Sequence, residues 1–511
     1  MHPSQWAALH PHAAAIVRQE TGDTRDYAAL EAASNRGAHL LRKLGLARGD
    51  RIAIWCDNRP EYFEICWAAE RCGIVFVPVS TRLTAREAEY IIRNCGARLL
   101  IAGPTVAEAL HLLKSDPAMA ATPVLAVGFA APGAARWEDA AAALPPTPIA
   151  DQSAGRPMLY SSGSTGSPKG IVHADRPNDI TAEHHYEPWL RTDFGLDEHA
   201  IFTSPAPLYH AAPLVFGMTA HRLGATVVLF ARFGAEEFLR AVQRYRITHA
   251  QLVPTMMSRL LRLPEELRRR YDLSSLRAVI HSGAPCPISV KSAFIGWLGL
   301  IVFEYYGGSE GFGRTCISAA EWLEHPGSVG RARHGIIHVC DDDGSEVSAG
   351  QTGVVYFESA VQVAYHEDPA KTAAASHPDH ANWRTFGDVG HVDAEGYLML
   401  TDRQAFMIVS GGVNIYPQEA ENVLLGHPFV HDVAVIGVPD ADMGEQVKAV
   451  VQPIAGTAAG PELANQLIGW CRERLAHYKC PRSVDFVSEL PRHENGKLYK
   501  RQLREAYWPR R

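Results

Sequence analysis

The chain has 511 residues, 47% of them hydrophobic and 21% charged, a composition typical of a globular protein too long for one core. Its net charge of -7 argues against binding nucleic acid or anionic lipid through bulk charge. Nine cysteines without a C-x-x-C pair favour reduced thiols over a disulfide framework. Because neither a signal peptide nor an apolar run of membrane-spanning length is visible, we predict a cytoplasmic protein.

Apolar runs alternate with segments of helical period over the first part of the chain. Predicted strands and helices follow one another at DRIAIWC (50–56), 61–72, IVFVPVS (74–80), 85–95 and RLLIAG (98–103). The same alternation returns between residues 225 and 283. It predicts parallel sheets covered by helices. Residues 129–157, rich in Ala and Pro, are predicted to be a surface connection.

The pattern changes after about residue 330. GIIHVCDDDGSEV (335–347) and GHVDAEGYLMLTD (390–402) each place a Gly-containing turn between apolar runs, which predicts hairpins. From residue 403 short strands and helices mix, with helices predicted over 418–425 and 461–475. We predict a separate small α+β domain over the last 110 residues or so.

One segment is built to hold an anion. YSSGSTGSPKG (160–170) offers hydroxyls and backbone N–H groups that can converge on one ligand, and Lys169 adds a positive charge. It is not a Walker A loop, because Pro168 and Gly170 replace the Gly and Ser/Thr that flank the lysine in that motif. A strand is predicted to follow it at IVH (171–173). The alternative, a disordered linker, fits poorly between two strand-like runs.

This loop resembles the signature of the adenylate-forming superfamily, which includes acyl-CoA synthetases, the adenylation domains of peptide synthetases and firefly luciferase. Further landmarks of that family follow in order: APLYHAAP (206–213), HSGAPCP (281–287), EYYGGSEG (304–311), WRTFGDVG (383–390), LTDR (400–403), SGGVNIYPQEAE (410–421) and LPRHENGKLYK (490–500). The resemblance covers nearly the whole chain and is closest to bacterial acyl-CoA ligases.

The resemblance implies an α/β fold in two domains. Residues 1–402 would form a large N-terminal adenylation domain of helix-covered sheets with a small β-barrel-like part. Residues 403–511 would form a small mobile α+β lid, with a hinge near 403–406 and a catalytic lysine loop over 491–498. The family's hinge usually has Asp or Lys where this chain has Ala405.

The resemblance also implies an ATP site. The loop would hold the β- and γ-phosphates, Tyr306 would stack on adenine opposite the 283–285 backbone, and Asp388 and Arg403 would hold the ribose. Glu310 would bind Mg²⁺, and Ser309, threonine in the family motif, would contact phosphate. The predicted ATP-binding residues are Ser161, Ser162, Gly163, Ser164, Thr165, Gly166, Lys169, Gly283, Ala284, Pro285, Tyr305, Tyr306, Gly307, Asp388 and Arg403.

The remaining predicted sites serve the acid, the thiol and the chemistry. The acyl pocket would be lined by His210, Ala211, Phe216 and Gly308, and Gly411 and Gly412 would let the CoA arm pass close to backbone. The predicted catalytic residues are Lys497, Glu310 and Ser309. The expected co-substrates and cofactor are ATP, CoA and Mg²⁺.

The implied activity is an ATP-dependent ligation in two half-reactions. A fatty, aromatic or steroidal carboxylic acid would form acyl-AMP with release of pyrophosphate, and CoA would then take the acyl group. A carrier protein is the alternative acceptor, although the chain's end 14 residues after Lys497 favours CoA. The expected partner is the small-molecule acid, with homodimerisation left open.

An unrelated interpretation comes from GGSEG (307–311), which matches the G-x-S-x-G nucleophile elbow of serine hydrolases. Ser309 would then be the nucleophile. That hypothesis leaves the anion loop, Asp388, Arg403 and Lys497 unexplained.

Overall fold

The computed structural model of the chain describes residues 1–161, 168–173, 178–403, 406–410, 413–440, 442–492 and 498–508. Within these ranges the side chains of residues 118, 161, 402, 403, 414 and 501 are not described.

The strands, in chain order, are β1 (Ala14–Arg18), β2 (Thr24–Asp26), β3 (Arg51–Trp55), β4 (Val75–Pro78), β5 (Leu99–Ala102), β6 (Val124–Ala126), β7 (Ala135–Arg136), β8 (Arg156–Pro157), β9 (Tyr160–Ser161), β10 (Lys169–His173), β11 (Ile201–Thr203), β12 (Thr226–Leu229), β13 (His249–Leu252), β14 (Ala278–His281), β15 (Val302–Gly307), β16 (Arg314–Ser318), β17 (Ser328–His334), β18 (Ile336–Cys340), β19 (Gly353–Glu358), β20 (Val363–Tyr365), β21 (Trp383–Val392), β22 (Leu398–Arg403), β23 (Ile408–Ser410), β24 (Val413–Ile415), β25 (Val430–Asp440), β26 (Gly444–Pro453) and β27 (Ser483–Phe486).

The α-helices are α1 (Pro3–Leu9), α2 (Tyr27–Lys43), α3 (Pro60–Arg71), α4 (Ala85–Asn94), α5 (Ala107–Ser115), α6 (Pro117–Ala120), α7 (Trp137–Ala142), α8 (Tyr186–Phe194), α9 (Ala211–Arg222), α10 (Ala235–Tyr245), α11 (Pro254–Leu261), α12 (Glu265–Arg268), α13 (Ile288–Leu298), α14 (Ala319–Glu324), α15 (Pro369–Ala374), α16 (Pro417–Leu425), α17 (Pro461–Arg472) and α18 (Lys500–Tyr507). The predicted alternation of strands and helices is confirmed. So are the predicted helices over 61–72, 85–95, 418–425 and 461–475, to within a few residues at their ends.

The first compact unit comprises Met1–Leu252, Arg262–Ile280 and Gln362–Pro369. One sheet runs in the order β14-β13-β11-β12-β1-β2, and a parallel sheet runs β7-β6-β5-β3-β4-β8. The strand β3 is almost entirely apolar because helices cover both faces of such a sheet. The helix α4 begins at a capping box of Thr84 and Glu87 and turns Ala88, Ile91 and Ile92 to the core.

The prediction of a plain surface connection over 129–157 is wrong in part. This stretch contains α7, whose first residue Trp137 is only 3% exposed. The Trp137 ring packs so close to Gly37 of α2 that a Cβ at this glycine would lie only 2.8 Å from the ring. The Ala- and Pro-rich composition hid one aromatic anchor that fastens this segment to α2.

The second compact unit comprises Val253–Leu261, His281–Val361 and Ala370–Arg511. Its larger sheet follows the order β18-β19-β21-β22-β17-β16-β15, is antiparallel throughout, and contains the predicted hairpin of β21 and β22. This antiparallel sheet occupies the part of the N-terminal residues 1–402 in which a small β-barrel-like part is expected.

The last part of this unit has strands in the order β24-β23-β26-β25, with β27 parallel to β26. Its core includes Leu424 of α16, Val435 of β25 and Leu467 of α17. This arrangement is the predicted α+β mixture. The boundary near residue 403 stays a prediction, because residues on both sides of it fall in the same compact unit.

Among the residues that the structure describes, no helix is both long enough and apolar enough to cross a membrane.

Candidate active site

The predicted anion loop is flanked by two paired strands of the first unit. The strands β9 and β10 are antiparallel, with Ser161 opposite Lys169 and Tyr160 opposite Gly170. The strand predicted after the loop is therefore confirmed. Outside the described residues lie five predicted phosphate-binding positions, Ser162, Gly163, Ser164, Thr165 and Gly166, and the Ser161 side chain is not described either.

Lys169 has a carboxylate partner that sequence reasoning missed. Its Nζ lies 2.7 Å from Oδ2 of Asp368, just beyond the strand β20 that pairs with β10. This hydrogen bond raises the pKa of Lys169, so the ammonium stays charged. The two side chains are 25% and 19% exposed, which leaves the ammonium within reach of a solvent-borne anion.

Two predicted nucleotide-binding residues meet in the second unit. Tyr306 on β15 donates its hydroxyl hydrogen to Oδ2 of Asp388 on β21, at 2.5 Å. The Phe386 ring stands edge-on to that of Tyr306, with centroids 5.8 Å apart. Asp388 lies opposite Arg403 in the β21–β22 ladder. Three positions from separate landmarks therefore form one neighbourhood, as a site for base and ribose requires.

The turn after β15 carries Gly308, Ser309 and Glu310. A Cβ on Gly308 would lie 2.3 Å from the Phe386 ring and 2.5 Å from Oε2 of Glu310, so only glycine fits there. Glu310 is 8% exposed. Among the described residues no group of three or more His, Cys, Asp or Glu side chains is placed to hold a metal. A Mg²⁺ site here would combine this one carboxylate with nucleotide and water oxygens, a set that Mg²⁺ accepts.

The predicted second wall, residues 283–285, is the turn between β14 and α13. Gly283 has φ +86, a conformation that favours glycine. Gly283 and Pro285 are exposed and Ala284 is half-buried, so the backbone of the turn is open to a ligand. The half-buried Tyr305 and the exposed Gly307 lie at the end of β15.

A buried ion pair that sequence reasoning missed lies near both the 283–285 turn and the end of β15 in the chain. Lys291 of α13 and Glu304 of β15 lie 2.5 Å apart, at 1% and 8% side-chain exposure. The available signal was a glutamate inside the apolar run IVFEYY (301–306). A charge in such a run points to a buried partner.

The predicted acyl-pocket residues of the first unit lie at the start of α9. His210 occupies the N-cap position without a side-chain capping hydrogen bond and is half-buried beside the Tyr209 ring, and Ala211 begins the first turn of the helix. Phe216 is buried against the rings of Trp189 and Phe202. Its place in an acyl pocket stays a prediction.

The same helix lines a cavity of about 110 Å³ within the first unit. Val215, Met218 and Arg222, spaced by three and four residues, present one face of α9 to it. The opposite wall includes Trp67 and Glu70 of α3. The lining from α9 is apolar at Val215 and Met218 and polar at Thr219 and Arg222, and Arg222 lies 3.6 Å from Glu70.

The predicted CoA residues Gly411 and Gly412 and the predicted catalytic Lys497 lie outside the described residues. Residues on both sides of 493–497 form ion pairs. Arg492 pairs with both carboxylate oxygens of Asp432, at 2.5 and 2.6 Å. Lys500 pairs with the buried Glu421 of α16 at 2.8 Å. Residues on both sides of the segment predicted to carry the catalytic lysine thus form ion pairs within the last part of the chain.

Comparisons with known proteins show the family to which the chain belongs. A family model described as AMP-binding enzyme matches residues 4–364, and the model of the AMP-binding enzyme C-terminal domain matches residues 419–497. The chain is 35% identical to a feruloyl-CoA synthase of Amycolatopsis sp over 512 residues, covering 99% of this chain and 98% of that protein. It is 32% identical to a long-chain-fatty-acid–CoA ligase of Mycobacterium tuberculosis over 507 residues, covering 98% and 97%. The fold is similar to that of ATP-bound MatB from Rhodopseudomonas palustris, with a TM-score of 0.83, 27% identity and 99% of each chain covered.

Proposed function

The chain belongs to the AMP-binding enzyme family as an AMP-forming acyl-CoA ligase, and we propose that its acid is an extended apolar or aromatic carboxylic acid. ATP and CoA are its co-substrates. The observation that most supports the proposed residue roles is the Tyr306–Asp388 hydrogen bond opposite Arg403. It joins an aromatic ring, a carboxylate and an arginine position, which suit a base and the hydroxyls of a ribose.

In the first half-reaction an oxygen of the substrate carboxylate attacks the α-phosphorus of ATP, and the bond to the departing pyrophosphate breaks. Two anions must approach each other, so catalysis depends on neutralising charge and aligning the reactants. We expect the 160–170 loop to hold the β- and γ-phosphates and Lys497 to contact the carboxylate and the α-phosphate. Glu310 would hold Mg²⁺, which supplies positive charge to the phosphate oxygens when bound.

In the second half-reaction the CoA thiol, having lost its proton to water, attacks the acyl carbon of acyl-AMP, the thioester bond forms, and AMP leaves with the electrons of the anhydride bond. Lys497 must make way for the thiol, and a hinged small domain can provide that exchange. Such a hinge near 403–406 is proposed here from the sequence. A carrier protein remains the alternative acceptor, and the family match favours ligation over hydrolysis by Ser309.

The cavity beside α9 supports an extended acid. The helix begins at Ala211, next to His210, and reaches Arg222 eleven residues further on, a rise of about 16 Å at 1.5 Å per residue. Its Val215 and Met218 face the cavity along this path. An acyl chain or ring system lying along that face would bury apolar surface, the main source of affinity for such acids.

The test is a screen of pyrophosphate release across straight-chain acids of increasing length and ring acids, with and without CoA. We expect release with every accepted acid and thioester only when CoA is present. Thioester formation on a carrier protein but not on CoA would favour the alternative acceptor. Ester hydrolysis without ATP would contradict the ligase assignment.

A variant links the screen to the cavity. Met218→Trp would fill the space beside α9, so the preferred acid should become shorter while turnover of benzoate is kept. Met443→Trp, at a residue that is 36% exposed, is the matched control. An unchanged length preference in Met218→Trp would contradict the placement of the acid.

A cytoplasmic location and a homodimer stay predictions. The oligomeric state can be measured by light scattering.

A further inference from the structure

Three ionisable side chains of the second unit are buried together. Lys291 donates to Glu304 Oε2 at 2.5 Å, and the Lys291 ammonium also lies 4.9 Å from the centre of the Trp322 ring on α14. His281, fully buried, has its Nε2 3.6 Å from the same Glu304 oxygen. Burial raises the pKa of Glu304, and the Lys291 ammonium opposes that shift.

The cluster connects the two segments that flank the proposed base site. Lys291 stands in the first turn of α13, six residues after Pro285, and His281 lies two residues before Gly283. Glu304 immediately precedes Tyr305 and Tyr306 on β15. A shift of α13 against β15 would therefore have to separate Lys291 from Glu304.

Because His281 is uncharged, the positive charge beside the Glu304 carboxylate comes mainly from Lys291. Burial, together with the Lys291 charge, holds the pKa of His281 well below its usual range, so its ring is neutral. Neither ring nitrogen of His281 has a hydrogen-bond partner among the described residues. The Lys291–Glu304 pair is thus the main ionic interaction of a buried cluster. Removing one partner would leave the charge of the other unpaired in a low-dielectric environment.

We propose that Lys291 and Glu304 are positioning residues for the base of the nucleotide: their ion pair sets the spacing between the 283–285 backbone and the Tyr306 ring. The inference rests on the proposed ATP site. Neither side chain needs to touch ATP, because Glu304 directly precedes Tyr305 and Tyr306 on β15 and Lys291 lies on the helix that follows the 283–285 turn. A site whose walls are displaced by 1 Å loses much of its affinity and rate.

The test separates base recognition from phosphate recognition in the intact chain. AMP carries the base, and tripolyphosphate carries phosphates without it. In Lys291→Met, Glu304→Gln and the double variant K291M/E304Q, we expect the inhibition constant of AMP to rise about tenfold. That of tripolyphosphate should change less than about twofold. Since the two single variants alter charge in opposite directions, a shared direction of change points to spacing rather than field.

Thermal unfolding separates positioning from mere stability. The single variants should lose stability, while the double variant, which buries no unpaired charge, should recover most of it. Positioning predicts that AMP affinity stays weak in the double variant. Recovery of AMP affinity together with stability would overturn the inference, and so would a parallel loss of AMP and tripolyphosphate.

The matched control is Lys448→Met. Lys448 also pairs with a carboxylate, Asp485 at 2.9 Å, and also lies over an aromatic ring, Tyr507 at 5.1 Å. It belongs to the last part of the chain, and its loss should leave AMP affinity unchanged. A wild-type chain that binds AMP but activates no acid would contradict the proposed function alone. A wild-type chain that does not bind AMP would contradict both.

Discussion

Two lysine–carboxylate pairs, one in each compact unit, differ chiefly in their surroundings. Lys169 and Asp368 lie 2.7 Å apart at the end of the anion loop and are both partly exposed. Lys291 and Glu304 lie 2.5 Å apart and are almost completely buried. Each pair adjoins a segment proposed to bind ATP. Similar distances therefore accompany very different access to solvent.

The difference teaches that a short ion-pair distance does not define a role. An exposed pair contributes about 0–1 kcal/mol to folding, so an anion can compete for its lysine. Breaking a buried pair on one side costs about 3–5 kcal/mol, so its lysine is not available to a ligand. Lys169 is thus suited to respond to phosphate, and Lys291 to hold structure.

The largest expected effect concerns a third lysine, which tests whether chemistry is separate from both pairs. Lys497→Ala should lower acyl-AMP formation by about 10²–10³-fold, because it removes positive charge from the reacting anions. Thioester formation from supplied acyl-AMP should change less than about twofold. Single-turnover assays of each half-reaction measure the two rates, with Lys448→Met as control. Equal losses in both half-reactions would refute the assignment of Lys497.

The next effect sharpens the contrast in burial. Lys291→Met should lower the free energy of unfolding by about 3–5 kcal/mol, because the Glu304 charge is left unpaired. Lys169→Met should lower it by less than about 1 kcal/mol. Urea denaturation of both variants provides the comparison. Similar losses in the two would show that exposure does not separate the pairs.

A smaller effect is expected at the hydrogen bond of the proposed nucleotide site. Tyr306→Phe removes the donor to Asp388 and should raise KM for ATP about three- to tenfold, the equivalent of a bond worth about 1 kcal/mol. KM for the acid should not change. Tyr356→Phe, which removes a tyrosine hydroxyl from β19 of the same sheet, is the matched control. A rise in the KM of the acid alone would place Tyr306 in the acyl pocket instead.

The smallest expected effect tests whether the exposed pair can open. Asp368→Asn releases Lys169 and should leave KM for ATP unchanged or up to about threefold lower, whereas Lys169→Met should raise it. The two variants therefore differ in sign although they break the same bond. Steady-state kinetics at saturating acid measure both. Equal increases would mean that the pair itself, not the free lysine, serves ATP.

The same pair has a defined pH dependence. Asp368 raises the pKa of Lys169 above its ordinary 10.5, so the stabilisation is complete below pH 10.5 and is lost as the pH rises through the raised pKa. The difference in unfolding free energy between wild type and Asp368→Asn should therefore shrink as the pH rises above 10.5. A difference that grows over this range would contradict the ion pair.

Most of the fold was predictable because its helices, strands and turns each carry a local sequence signal. The apolar run of β3, the period of α4 and the glycine turn between β21 and β22 each carry their own signal over a few residues. The stretch 129–157 failed because one buried tryptophan, Trp137, outweighed a composition typical of loops. Local patterns predict elements well, and single long-range anchors poorly.

The candidate site was predictable as a list of positions. Tyr306, Asp388 and Arg403 were proposed from separate landmarks, and the structure brings the three positions together. The partners of the lysines were not predictable, since Asp368 follows a strand far along the chain from Lys169. Glu304 was visible as a charge in an apolar run, but nothing in the run names Lys291 as its partner.

The sequence by itself determined the family and the chemistry, because those depend on residue types in a fixed order along the chain. Only the tertiary structure decided which lysine is exposed and which is buried, and where the cavity beside α9 lies. The physical reason is that burial and pairing depend on residues that folding brings together from distant segments. The loop YSSGSTGSPKG points to the family and so to how an acid is activated, and the packing around α9 supports the proposal of which acid fits.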